Sequence, residues 1–390
     1  LAIGLVTALV AFTSWTVLGA APPSTARMAA SVPLASSFAA GDLLVVATDG
    51  SDSNPGTEAE PLLNLATAIE LAQPGTLIQV RGGTYALTSN LQLLKSGEAG
   101  KPITMAGYPG ENVIIDGENL PNTPAPVGGS IPAAQRGAIH LEGSYWTLTD
   151  LEIVNSPYAV YCSGCDHTVL DRLRTHDNYE TGVQLQGAAG DNQVLNLDSY
   201  RNRDPRKNGE SADGLGIKEG SGSGNVVRGA RLWDNVDDGF DAWEFLSPIL
   251  IEDSISYGNG FNRWDFPDFG GDGNGFKLGG GDEDLPADHV VRNSMAFGNT
   301  AGGLIDNSNP GALTLERTTA YDNAGTGIDV DSGAGLLSRN LSLGNGIDVS
   351  LGASTGTGNS WDLVTVPTLA STDPALVTGP RTADGSIPTS

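Results

Sequence analysis

The stretch NVDDGFDAWEF, residues 235 to 245, sets Asp237, Asp238 and Asp241 within five positions of one another. Carboxylates this crowded either repel or share a positive partner. The chain as a whole is acidic, with 46 Asp and Glu against 20 Lys and Arg and a formal net charge of -26. A partner must therefore come from elsewhere in the fold or from solution. An all-oxygen donor set suits a hard divalent ion, and loose turn geometry favours Ca²⁺ over Mg²⁺, which demands near-octahedral ligands.

A repeat brings further residues to this stretch. After residue 135 one unit recurs: an apolar strand, an Asn, a short turn, a Gly and a second apolar strand, as in LRTHDNYETGVQLQ, ARLWDNVDDGFDAW, SMAFGNTAGGLIDN and TTAYDNAGTGIDVD. The series Asn178, Asn202, Asn235, Asn259, Asn299, Asn323 and Asn345 is spaced by 24, 33, 24, 40, 24 and 22 residues, a period near 24 with two insertions. Short strands at this period, with no helix-length segment between them, predict an all-β parallel β-helix whose rungs bury their apolar faces on one another. The asparagines then stack at one corner, satisfying turn backbone groups and tolerating left-handed geometry.

Aligning rungs on the recurrent Gly assigns faces. The residues one and three positions after it, such as Val183 and Leu185 or Phe240 and Ala242, are apolar except Asp306 and point inward. Gln184, Gly216, Asp241, Lys277, Ile305 and Asp329, two positions after it, point outward. Asp241 and Lys277 thus share a column on consecutive rungs, ~5 Å apart. Asp213 and Asp238 share the turn position before the Gly, and Asp237 precedes Asp238. Four carboxylates, Asp213, Asp237, Asp238 and Asp241, converge beside Lys277, with Lys218 two residues along the outward face of its own rung. The insertions, eight residues beyond the usual spacing after Asn202 and twelve after Asn259, are predicted to wall a groove beside them. Trp243 and Trp264 there suit either sugar stacking or core packing.

The remaining features bound the function class. With 39% hydrophobic residues the chain has enough apolar content for a large core, while its acidity argues against a nucleic-acid partner. The segment LAIGLVTALVAFTSWTVLGAA reads as the hydrophobic part of a secretory signal, and no later segment suits a membrane span, so a secreted, extracellular, monomeric protein is expected. Residues 1–40 are read as signal and N-terminal extension, 41–355 as the β-helix, and 356–390, rich in Pro, Thr and Ser, as an extended tail along it. Cys162 and Cys165 in YCSGCDH are expected to form a local disulfide or to be inert thiols. The histidines at 140, 167, 176 and 289 lack metal-ligand spacing and are read as structural. DGSDSNPGTEAE lacks the Gly and the preceding helix of an EF-hand loop and is read as a turn before a helix in LLNLATAIELA.

The segments ADG at 212–214, WDNVDDGFD at 233–241 and GNGFKLGG at 273–280 closely resemble the signatures of polysaccharide lyase family 9, the calcium-dependent pectate lyases. Residues 49–85 look like the helical N-terminal cap of such β-helices, and the resemblance covers roughly residues 45 to 350. It implies a right-handed parallel β-helix, a polygalacturonate substrate, Asp213, Asp237, Asp238 and Asp241 as Ca²⁺ ligands, and Lys277 as catalytic base. β-Elimination would remove the C5 proton of a uronan, with Ca²⁺ on the C6 carboxylate and an alkaline optimum. Against this stand a structural ion pair of Lys277 with Asp241, Lys218 as the base instead, a lyase on another uronan such as rhamnogalacturonan, a β-helix glycoside hydrolase, and a wall-binding β-helix without catalysis.

Overall fold

The computed structural model describes residues 42–281, 285–365, 367–369 and 371–388, so the N-terminal apolar segment lies outside the described residues. The chain winds into a parallel β-helix with three faces. A twelve-stranded sheet runs from Leu43–Val46 to Thr355–Thr357, a ten-stranded sheet from Leu91–Leu93 to Ile347–Ser350, and another ten-stranded sheet from Gly83–Ala86 to Leu341–Leu343. The helix expected near the N-terminus is Leu65–Leu71, whose Leu65, Ala68 and Ile69 join the apolar core at that end. Asp52 holds the turn before it, its Oδ1 accepting from the backbone N–H groups of Leu63 and Asn64 at 3.1 and 2.9 Å.

The second sheet carries the outward column, and its register sets Gln184, Gly216, Asp241, Lys277, Ile305 and Asp329 side by side. The alternate positions, from Val183 and Leu185 through Phe240, Phe276 and Leu278, are fully buried and run as one core along the axis. Each such side chain contributes roughly 1.5–3 kcal/mol by leaving water, which makes a slip by one residue prohibitive.

The asparagines form a ladder. Each Nδ2 from Asn178 through Asn323 donates to the Oδ1 of the next Asn, ending on Asn345, at 2.8–3.1 Å. The left-handed conformation, however, belongs to the residue before each Asn, for example Asp177, Arg201 and Asp234 with φ of 53, 54 and 57°. The asparagine supplies the hydrogen bonds while its neighbour makes the turn. The ladder also explains the recurrent Gly: a Cβ at Gly214 would sit 2.8 Å from Asn235 Nδ2, and one at Gly239 only 2.9 Å from Asn259 Nδ2.

A stack of rings, His176, Tyr200, Trp233, Tyr257, Phe297 and Tyr321, climbs the third sheet with centroids 4.2–5.8 Å apart. The tail lies across it. Leu369, Val377 and Ile387 pack on Ile255, Phe297 and Tyr321, while Arg381 and Arg231 clamp Asp198 at 2.6 and 2.7 Å. Cys162 and Cys165 form a disulfide.

His289 is buried, and its Nδ1 accepts the Ile249 N–H at 3.2 Å. Burial pushes its pKa down to about 4 from 6.5. The unfolded chain therefore takes up a proton that the folded one refuses, so this contribution to stability is complete above pH 6.5 and falls away as pH drops toward 4. Thermal melts from pH 7 to 4.5 should show His289→Asn, which keeps an acceptor for Ile249, losing less stability than the parent. An equal loss in both would place the acid sensitivity elsewhere.

Candidate active site

In the rungs that carry the site, the turn entering the strand of the second sheet ends in Gly, whose N–H donates to the residue before the Gly of the next rung. Gly182 bonds Asp213 O, Gly214 bonds Asp238 O and Gly239 bonds Asn274 O, at 2.9–3.0 Å. This stacks Thr181, Asp213, Asp238 and Asn274 in one column. Their side chains also touch: Thr181 Oγ1 lies 3.1 Å from Asp213 Oδ2, and Asn274 donates to Asp238 Oδ1 through both its backbone N–H (2.6 Å) and Nδ2 (2.9 Å).

Asp213, Asp237 and Asp238 each offer a carboxylate oxygen, and these oxygens lie within 4.8 Å of one another. All three residues are buried. Among the described residues Asp213 Oδ1 and Asp238 Oδ2 have no hydrogen-bond partner, although Lys277 Nζ stands 3.2 Å from the latter as an ion pair. Burial, then Asp238 and Asp213, push the Asp237 carboxyl far above its ordinary range. Burial raises Asp238 to about 7 against the pull of Lys277. Closely spaced, buried, under-satisfied oxygens are the donor set of a hard cation, so the cluster fits a metal. Asp241 stands beside the three, with Oδ1 accepting the Trp243 N–H at 2.9 Å and Oδ2 paired to Lys218 at 2.8 Å.

The two lysines differ in place. Lys218 reaches back over Gly216, where a Cβ would lie 3.2 Å from its Cε, and bridges Asp213 Oδ2 (2.7 Å) and Asp241 Oδ2. Burial opposes its charge, but Asp213 and Asp241 outweigh burial and hold it protonated. Lys277 stands next to Asp241 in the strand register and is bonded on its far side by Asp272 Oδ2 at 2.8 Å. Burial opposes its charge too, and Asp238, Asp241 and Asp237 raise its pKa well above the ordinary lysine value.

Asp241 and Lys277, on the outward face, are only 3% and 9% exposed: Lys218 lies on Asp241, and Asp272 of the insertion lies on Lys277. Asp272, in the insertion after Asn259, escapes a reading based on the repeat; its N–H also donates to Asp237 Oδ1 at 2.7 Å. A further loop, residues 117–136, docks on the insertion after Asn202, where Gly128 N–H bonds Arg206 O at 2.8 Å. Arg206 in turn pairs with buried Glu180 at 2.6 Å. Trp264 lies 6.0 Å from the Arg203 guanidinium and Trp243 lies under Gly280, so both stand at the loops outside the apolar core.

Residues 44–335 match the family model described as Pel9A-like, right handed beta helix region, which carries the handedness expected from the sequence. The chain is 49% identical to pectate lyase PEL9 of Emericella nidulans over 368 residues, 88% of this chain and 90% of that one. The crystal structure of pectate lyase Pel9A superposes with a TM-score of 0.78 at 31% identity, over 89% of this chain and 87% of that one. A rhamnogalacturonan lyase superposes with a TM-score of 0.77 at 26% identity, over 90% and 95% of the two chains.

The crowded carboxylates cost stability when nothing neutralises them. In chelator, Asp237→Asn, which keeps an acceptor for the Asp272 N–H, should raise the melting temperature by a few degrees. A lower melting temperature would mean that the cluster does not repel.

Proposed function

The chain belongs to the Pel9A-like right-handed β-helix family, and from that premise we infer that it is a pectate lyase that cleaves polygalacturonate by β-elimination and leaves an unsaturated product. The observation that carries the reading is the juxtaposition of three buried carboxylates, within 4.8 Å of one another, with Lys277 on the same groove. A glycoside hydrolase would need an acid and a base on opposite sides of the sugar, whereas here the carboxylates sit together around a lysine.

Asp213, Asp237 and Asp238 would hold one Ca²⁺, with Asp241 as the fourth ligand at their edge. Bound there, Ca²⁺ would supply the charge that stabilises the uronate carboxylate as C5 loses its proton, and would offset the aspartates that otherwise keep Lys277 protonated. Lys277 accepts the C5 proton at Nζ. Asp272 holds that nitrogen toward the groove. Lys218, bonded to both Asp213 and Asp241, serves as a fixed counter-charge. The insertion bearing Asp272 lies against Asp237 and Lys277.

Residues 41–355 would then form the catalytic domain. Export is supported by the Cys162–Cys165 disulfide, since such bonds persist in oxidising compartments, and no described helix is long and apolar enough to cross a membrane. Rhamnogalacturonan is the second candidate substrate, because the likeness to a rhamnogalacturonan lyase nearly equals that to Pel9A.

Both polymers should be incubated with the protein while product absorbance from the new double bond is followed, with and without chelator. A pectate lyase gives absorbance on polygalacturonate that chelator abolishes and calcium restores. Absorbance on rhamnogalacturonan alone moves the substrate; chain cleavage without absorbance makes the protein a hydrolase.

Lys277→Ala should reduce turnover by about 10²–10⁴-fold, the size of a general-base contribution, while calcium binding persists. Lys277→Arg should not restore it, since a guanidinium does not deprotonate at workable pH. Substantial activity in the Arg variant would remove Lys277 from the role of base.

A further inference from the structure

Upstream of Asp241 the outward column of the second sheet holds uncharged residues, with Gln184 and Tyr161 only 4% and 3% exposed. Counting back from Lys277, the paired residues are Asp241, Gly216, Gln184 and Tyr161. Tyr161 is thus four strands away, about 19 Å at the ~4.8 Å spacing of a sheet, a span of several sugar rings.

Arg136 stands over this stretch. Its Nη1 donates to Tyr161 Oη at 2.9 Å, its Nε reaches the Ile131 carbonyl at 3.4 Å, and its guanidinium carbon lies 5.3 Å from the Tyr161 ring centre. Tyr161 Oη donates to Gln186 Oε1, which also accepts from Gln184 Nε2 at 2.9 Å. The guanidinium is therefore fixed by neutral groups. Among the described residues Arg136 forms no ion pair, and its Nη2 makes no hydrogen bond. Glu219 acts on it only at a distance, its own carboxylate being bonded by Gln186 Nε2.

Most arginines of this acidic chain, with 46 acidic and 20 basic residues, are paired with a carboxylate, as Arg206 is with Glu180 across the docked loop; among the described residues Arg136 shares its lack of an ion pair only with Arg203 and Arg339. Nor does the loop that carries Arg136 need its charge for anchoring. Ala125 and Ile131 bury against Tyr158 and Tyr161, and Arg206 holds Gly129 O at 3.3 Å. A half-buried, prepositioned guanidinium with a free edge is the partner that a planar carboxylate binds best.

We propose that Arg136, seated on Tyr161, is a subsite for a uronate carboxylate that grips the polysaccharide about four strands from the scissile position. This rests on the pectate-lyase reading above. The substrate then runs from Arg136 toward Lys277 in the direction of the outward column, and chain length sets whether Arg136 is reached.

The test compares the parent, Arg136→Ala and Arg136→Lys on galacturonate oligomers of increasing length and on the polymer. On the shortest oligomers that are cleaved, the variants should match the parent. On long chains Arg136→Ala should lose roughly tenfold or more in kcat/KM, mainly through KM, as expected for a charge-assisted hydrogen bond, and Arg136→Lys should recover part of it. The same loss at every length, or no loss at any, overturns the proposal. Calorimetry of a long galacturonate oligomer on Lys277→Ala, with and without Arg136→Ala, separates this inference from the reading it rests on. A roughly tenfold weaker affinity upholds the subsite whether or not the parent makes product. Unchanged affinity overturns the subsite alone, and absence of binding in both chains overturns it together with the functional reading.

Discussion

Parallel pairing in fixed register carries residues that are tens of positions apart in the chain to within one strand spacing of each other. Asp213 and Asp238 meet because their turns lie on consecutive rungs, and Asp241 meets Lys277 because Phe240 and Phe276 pair inside the core. A slip of one residue would turn the buried phenylalanines outward and the charged column inward. The core that stabilises the fold and the cluster that gives it chemistry therefore depend on the same register, and the asparagine ladder on one corner keeps successive rungs aligned.

The same register gathers like charge in a buried place. Three carboxylates lie within 4.8 Å of one another, a costly arrangement unless positive charge compensates it. Two lysines supply part of that compensation from opposite sides. Lys218 is enclosed by Asp213 and Asp241, with Gly216 leaving space for its stem, while Lys277 stands at the groove between Asp238 and Asp272. Asp213 Oδ1 makes no hydrogen bond among the described residues and Asp238 Oδ2 has only its ion pair to Lys277, and these oxygens would give a divalent cation its foothold.

The parts of this arrangement tied to the repeat were legible in the sequence. The Gly alignment separated inward Val183, Phe240 and Phe276 from outward Asp241 and Lys277 because strands alternate faces and the rungs keep one period. The asparagine corner was legible too, except that its left-handed residue is the one preceding each Asn. Aperiodic residues were not legible. Asp272 sits in a glycine-rich insertion whose path no periodicity fixes, and loop 117–136, with Arg136 at its end, precedes the repeat. The burial of Lys277 was hidden for the same reason, since Asp272 of that insertion lies on it.

The central claim is that register builds one cation site from two rungs beside Lys277. Titration calorimetry with Ca²⁺ on the chelated protein tests it most directly. The account requires one ion per chain, bound by the parent and by Lys277→Ala, with binding lost or much weakened in both Asp213→Ala and Asp238→Ala, whose carboxylates come from different rungs. Undiminished binding in either aspartate variant, or no binding by the folded parent, would contradict it.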